Sequence, residues 1–401
     1  MQELQVILTR RRLIGSALGL TLAQICFSMF ISGDPNLNHS YKRLCQWDCG
    51  WYASITEDGY HSPYPPSFQD KPVSNVAFFP GYPITARIVH LSTGIESKTS
   101  LLLVAQVGAG IFWLFFFLIL ERWQVSLLAT WLCALSVIAH PASFYLIAPY
   151  SESLFLCGLL GMIYFCSSTA KAATSFAGIS GFIMTATRIV GMPLAFYPVF
   201  IVAAKKLLNR GSMTRSDLKK MGWITFLSVM GAISFFIYCR IALGNALIYF
   251  ETERIGWDIK FEPLIMFQWN TFKYAMPWDQ WSHRALLVLL GGFTITEMLV
   301  AVLGKAKGLA VRLPLYLCVI GMEYINISGR SCVLFASMIR YTLPCIILLS
   351  LCAGHISTFL PRWRRRTVWI WGAVWAASVA AIVWFLQVPH LVDYLHGRWF
   401  A

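Results

Sequence analysis

One short stretch near the beginning of the chain gathers residues able to do chemistry: Trp47-Asp48-Cys49-Gly50-Trp51-Tyr52, closed by Glu57-Asp58-Gly59-Tyr60. On a helix, Trp47, Trp51 and Ile55 recur every four residues and make one apolar stripe, suited to a membrane interface where tryptophan is favoured. Asp48 then stands at the edge of the stripe with Tyr52 one turn on, and Glu57-Asp58-Gly59 reads as the helix end and a solvated turn. Such a segment can be a plain aromatic anchor. It can also be a substrate site, because it sets a carboxylate where lipid headgroups and their sugars are found.

Three more charged residues could join it. Arg188 falls at the end of one apolar stretch and Arg340 inside another. Arginines so placed are costly unless paired or facing a watery cavity. Their forked guanidinium can hold an anion at two points, or pair with Glu152, which could equally cap its own helix N-terminus. Arg330 and Lys273 are looser candidates, and Glu297 and Glu323 lie within apolar stretches, Glu297 toward the opposite side. The 8 histidines are scattered without ligand spacing, and there is neither a zinc pattern nor a P-loop nor a dinucleotide-binding glycine pattern. No metal or cofactor is expected.

The elements that must position these groups are membrane spans. Apolar residues make up 57% of the 401 and charged ones 12%, about half the ~25% of soluble proteins. Runs near 13–32, 99–120, 125–146, 152–168, 174–188, 189–204, 222–243, 285–303, 312–328, 333–352 and 367–387 approach or exceed the ~20 residues that cross a bilayer. The composition predicts an all-α polytopic membrane protein with about 11 transmembrane helices, residues 1–401 forming a single integral membrane domain. The fifth and sixth runs are short and share a break at Gly191-Met192-Pro193. A net charge of +14 could invite a nucleic-acid reading, but the basic residues lie between the spans, so membrane lipids are the expected partners and nucleic acid is not.

Orientation follows from where the basic residues collect. Arg10, Arg11, Arg12, Lys205, Lys206, Arg215, Lys219, Lys220 and Lys307 fall on one side, expected to be cytoplasmic, as is the N-terminus. The long loops at 33–98 and 244–284 carry most of the carboxylates and fall on the other side. The first run, preceded by three arginines, reads as a retained signal-anchor helix. Most cysteines lie in or beside apolar runs; Cys45 and Cys49 do not, and a disulfide between them is possible in an oxidising compartment, with helical i,i+4 spacing near the upper distance limit.

Beyond physics, the segment Trp47-Asp48-Cys49-Gly50-Trp51-Tyr52 through Gly59-Tyr60, followed by Ala77-Phe78-Phe79-Pro80-Gly81-Tyr82-Pro83, resembles the PIG-V family, the second mannosyltransferase of GPI-anchor synthesis, and its prokaryotic relatives. Pro149-Tyr150-Ser151-Glu152-Ser153-Leu154-Phe155, Ala186-Thr187-Arg188-Ile189-Val190-Gly191 and Arg340-Tyr341 ahead of Pro344 fit in order. The resemblance implies a GT-C type fold with juxtamembrane helices in the first outer loop. It implies an inverting glycosyltransferase that moves a mannosyl residue from a polyprenyl-phosphate carrier, itself a substrate, to a lipid-linked or glycan acceptor. On this reading Asp48 is the catalytic base, and Trp47, Trp51, Tyr52, Glu57, Tyr82, Glu152, Arg188 and Arg340 bind substrate. The expected location is the cell inner membrane of a prokaryote, or else the endoplasmic reticulum membrane. A lipid or sugar transporter without transferase activity is the rival; transporters usually carry internal repeats, and none is visible.

Overall fold

The computed structural model describes residues 2–61, 74–208, 213–257, 259–264, 307–330, 338–359 and 365–398. The expected span at 285–303, together with Lys273 and Glu297, lies outside them.

The chain begins with α1 (Gln2–Ser32), then places three short helices, α2 (Leu37–Lys42), α3 (Asp48–Asp58) and α4 (Gly81–Thr93), before α5 (Ser97–Arg122). There follow α6 (Leu127–Ala139), α7 (Glu152–Cys166), α8 (Ala173–Thr187), the single turn α9 (Gly191–Leu194), α10 (Tyr197–Leu207), α11 (Arg215–Ala242) and α12 (Ile248–Gly256). After the next described residues come α13 (Leu309–Ser328), α14 (Met338–Ser357), α15 (Arg365–Ile382) and α16 (Val388–Leu395). Lys260–Phe261 pairs antiparallel with Gly329–Arg330. Among the described residues, 6 helices are long and apolar enough to cross a membrane: Arg10–Ser32, Ser97–Arg122, Arg215–Ala242, Leu309–Asn326, Arg340–Ser357 and Ala373–Leu395. Leu127–Ala139 and Glu152–Cys166 are shorter apolar helices.

Two sequence expectations change here. The run 125–146 is not one span: α6 stops at Ala139, because His140 precedes Pro141 and takes an extended conformation (φ −58°, ψ 131°), as a residue before proline tends to. A 3₁₀ turn, Ser143–Leu146, then runs to α7. The tryptophan stripe of α3 also does not lie as one face on a membrane surface. Ile55 is fully buried, Trp51 is half-buried, and Trp47 is not in the helix but at its N-cap. The exposed apolar stripe of this loop belongs instead to α4, where Ile84, Ile88 and Leu91 recur at helical spacing. The break read at Gly191-Met192-Pro193 is present as α9.

The core centres on α5, whose Phe112, Trp113, Phe116 and Phe117 are buried against α1 and α7, with Phe117 also 5.7 Å from Trp131 of α6. Two pairs of buried polar groups bond within it: Trp113 Nε1 donates to Gln24 Oε1 (3.1 Å), and Gln387 Nε2 donates to Ser143 Oγ (2.5 Å). Such pairing is required where water is absent.

Small residues bring α7, α8 and α11 together closely. A Cβ on Gly158 would stand 2.7 Å from the Ser180 carbonyl oxygen, and one on Gly231 would stand 2.1 Å from that of Phe182. This is the small-residue packing that lets apolar helices approach in lipid. Its effect is positional. Antiparallel α7 and α8 place Glu152, at the start of one, beside Arg188, at the end of the other.

Candidate active site

The carboxylate of Asp48 is held by an unusual turn. Trp47 caps α3 with φ 51° and ψ −108°, a conformation side chains other than glycine rarely take, costing about 1–3 kcal/mol. The surrounding contacts hold it there. Cys45 and Cys49 form a disulfide across the turn with Cα atoms 5.3 Å apart, comfortably bridgeable because only Cys49 lies within the helix. Tyr150 Oη donates to the Gln46 carbonyl (3.1 Å) and accepts from the Asp48 amide (3.4 Å). Tyr394 Oη donates to the Leu44 carbonyl (2.6 Å), and Tyr52 Oη donates to Ser151 Oγ (3.1 Å). The Tyr-Ser-Glu segment thus anchors the Trp-Asp segment directly.

Asp48 meets one charge directly, Arg340, which links it to two more from distant parts of the chain. Arg340 Nη1 donates to Asp48 Oδ2 at 2.8 Å. Its Nε lies 3.1 Å from Glu152 Oε1, a charge contact without hydrogen-bond alignment. Arg188 donates to the same Glu152 oxygen. The four side chains form an alternating row, Asp48–Arg340–Glu152–Arg188, whose formal charges cancel. Glu152 is nearly sealed from solvent at 2% side-chain exposure, and its Oε2 has no hydrogen-bond partner among the described residues. Asp48, Arg188 and Arg340 keep 17%, 15% and 12%, enough to meet a ligand.

Aromatic faces complete the lining. Tyr341 lies 5.1 Å from the Arg340 guanidinium and 5.3 Å from that of Arg188, and Tyr150 lies 5.2 Å from Arg340, all within cation–π range. A small pocket opens between Arg188, Arg340, Tyr341, Asn326, Phe155 and Met322.

Other sequence candidates fall elsewhere. Glu57, at the far end of α3, is exposed; its carboxylate accepts from Ser97 Oγ and its carbonyl accepts from Arg87 Nη1 (2.7 Å). It joins loop to α5 and is not part of the charged row. Tyr82 is fully buried, with its hydroxyl donating to the Leu101 carbonyl (2.7 Å) and its ring 5.0 Å from Tyr52. Tyr82 therefore supports Tyr52 from beneath, out of reach of a ligand. Tyr52 is itself 6% exposed. Trp47 is 44% exposed, and Trp51 stacks on Phe78 at 6.0 Å. Gly81 of the Pro-Gly-Tyr segment is pressed onto Ala186 and Thr187, where an added Cβ would lie 2.9 Å from the Ala186 carbonyl oxygen; this contact seats the first loop on the end of α8. Glu323 lies on α13 with Oε1 unpaired among the described residues, away from the row. The Arg330 side chain is outside the described residues.

Tyr341 and Glu253 were not singled out by residue type. Tyr341 was signalled only as the neighbour of Arg340. Glu253, on α12, reaches the charges of Asp48 and Arg340.

Every member of the row sits at the same end of the bundle: Asp48 after α1, Arg188 just past α8, and Glu152 and Arg340 in the first turns of α7 and α14. The opposite end gathers Arg122, Lys205, Lys206, Lys219, Lys220 and Lys307, where Lys220 Nζ donates to the Ser168 carbonyl (3.2 Å).

The described helices are those of a helical membrane protein with a charged row at one end of the bundle. Among solved structures it is similar in fold to ArnT from Cupriavidus metallidurans bound to undecaprenyl phosphate, with TM-score 0.52 and 12% identity over 94% of this chain and 74% of that one. It is likewise similar to the archaeal oligosaccharyltransferase AglB from Archaeoglobus fulgidus in complex with an inhibitory peptide and a dolichol-phosphate, with TM-score 0.52 and 11% identity over 93% and 56%. In sequence it is similar to GPI mannosyltransferase 2 of Drosophila melanogaster, 27% identical over 283 residues. That match covers 64% of this chain, which spans about three fifths (59%) of the relative's length. No family model matches. The chain is PIG-V-like in sequence and GT-C in fold, as its motifs suggested.

Proposed function

We propose that the protein is an inverting mannosyltransferase that takes mannose from a polyprenyl-phosphate carrier and passes it to a hydroxyl of a lipid-linked or glycan acceptor on the extracytoplasmic face. The observation that carries this reading is the row Asp48–Arg340–Glu152–Arg188 beside a partly open pocket. The likeness to GPI mannosyltransferase 2 supports the sugar, and the lipid phosphates bound in the ArnT and AglB structures support the carrier.

Asp48 takes the proton of the acceptor hydroxyl as its oxygen attacks the anomeric carbon. The bond from that carbon to the carrier phosphate breaks, and its electron pair leaves with the phosphate. Proton transfer by a placed carboxylate contributes typically ~10²–10⁴-fold. Charge grows on the phosphate as the bond breaks, and Arg188 and Arg340 are fixed to meet it. Glu152 orients both guanidiniums, and the shared contact spares it a buried, unpaired charge. Attack opposite the departing phosphate inverts the anomeric centre.

The test is the stereochemistry of the product. NMR of the new linkage should show the anomer opposite to that of the donor. Retention would remove the single-displacement mechanism and Asp48's role as base with it.

A further inference from the structure

The short helix α12 carries a carboxylate and two aromatic rings on the site side of the loop after α11, and the mechanism above uses none of them. Its placement is fixed by packing. Tyr249 is buried against Phe79 at 5.0 Å and against Phe235 and Phe236. Just past the helix, Trp257 lies edge-on to Trp51 and to Phe78, each at 5.8 Å. The amides of Trp257 and Ile259 both donate to the Glu253 carbonyl, at 3.1 and 3.0 Å, so the chain folds back around this residue. Trp51 belongs to α3, one turn from Asp48; α12 is therefore clamped against the helix that presents the proposed base.

Glu253 follows Tyr249 by four residues, on the same helical face. Burial pushes the Glu253 carboxyl up to about 8; neighbouring Tyr249 opposes this, the charge of Asp48 adds to it, and that of Arg340 opposes it. Trp51, Trp257 and Glu253 all remain partly exposed. Half-exposed indole faces beside a half-desolvated carboxyl offer what a sugar ring needs: apolar flats for its C–H face and a polar group for its hydroxyls. The cations proposed to meet the donor's phosphate, Arg340 and Arg188, are held by Asp48 and Glu152 and not by α12.

We propose that Glu253 and Trp257, with Trp51, form the subsite that holds the acceptor's sugar ring beside Asp48. The ligand class is a hydroxyl-rich hexosyl unit, whether it arrives lipid-linked or as a free glycan. This assignment rests on the transferase reading, because it supplies that reaction's second substrate.

Binding and turnover are measured separately on the full-length protein in detergent. Isothermal titration with a panel of hexosyl lipids in micelles, and with the same glycans free in solution, asks whether either form binds. Wild type should bind at least one saturably. Glu253→Gln should weaken that binding up to about tenfold, because the amide cannot reproduce the carboxyl's O–H donor to a ring hydroxyl. Trp257→Ala should weaken it as much, and Trp257→Phe should restore part of it. In transfer assays the same variants should raise the acceptor KM by the same factor, with kcat and the donor KM within about twofold. Thermal transitions close to wild type show that each variant is folded. Unchanged acceptor affinity and KM in both Glu253→Gln and Trp257→Ala would overturn the proposal. So would a fall in kcat at constant acceptor KM, or no saturable binding of any glycan. Glu253-dependent glycan binding without mannosyl transfer would instead leave the subsite standing and remove the transferase reading.

Discussion

At the residue scale the chemistry depends on Asp48 being a base and on Arg188 and Arg340 being forks. Asp48→Asn keeps the shape and can still accept a bond from Arg340, but it cannot take a proton. Transfer should fall by about two to four orders of magnitude, with little change in expression or thermal stability. Near-normal turnover in Asp48→Asn would end its assignment as base. Arg188→Lys keeps the charge but loses the planar fork that meets both Glu152 and a phosphate. Its turnover should drop at least about tenfold, and a rate equal to wild type would show that phosphate contact lies elsewhere. The four charged members of the row were legible in the sequence because each combines a costly charge with an apolar run or an aromatic motif. Glu57 and Tyr82 lie apart from the charged row, since motif membership does not say which face a side chain takes. Tyr82 turned inward to Leu101, and Glu57 to Ser97. Glu253 gave no signal at all, because only tertiary packing of Trp257 on Trp51 brings its helix to Asp48.

At the scale of elements, the site depends on helices packed through glycine. Hydropathy marked the ends of α5, α7 and α8 to within about two residues, since apolar length is what lipid demands. It overran α6 because hydropathy does not register the backbone restriction that Pro141 places on His140. It also could not see the contact between α8 and α11. In α11, Gly231 meets the Phe182 carbonyl oxygen and the Thr185 hydroxyl, whereas Gly222 has open space around it. Gly231→Ala should therefore destabilise the protein by about 1–3 kcal/mol or more, and turnover should fall because α8 carries Arg188. Gly222→Ala on the same helix should be close to neutral. Equal melting temperatures for the two variants in detergent would contradict this account of the packing.

At the scale of the molecule, all four charged residues share one end of the bundle and the lysine-rich segments share the other. If the basic end is cytoplasmic, the site faces outward, where lipid-linked sugars are used. Cysteines introduced at Asp70 and Ile255 should then react with an impermeant reagent from outside, and one at Ser212 should not. The reverse pattern would place the site on the cytoplasmic side and undo the mechanism.

The donor is the most direct test of the whole. A polyprenyl phosphate can keep its chain in lipid while its phosphate reaches Arg188 and Arg340 at the bundle's end. A nucleotide sugar is soluble, cytoplasmic and diphosphate-linked, and would need large loops among the basic segments. Purified protein should be given polyprenyl-phosphate-mannose or GDP-mannose, each with the same acceptor, in carrier-free detergent, with and without EDTA. Transfer from polyprenyl-phosphate-mannose that persists in EDTA, with none from GDP-mannose, is the expected result. Robust transfer from GDP-mannose alone would contradict the central claim, whatever the fold.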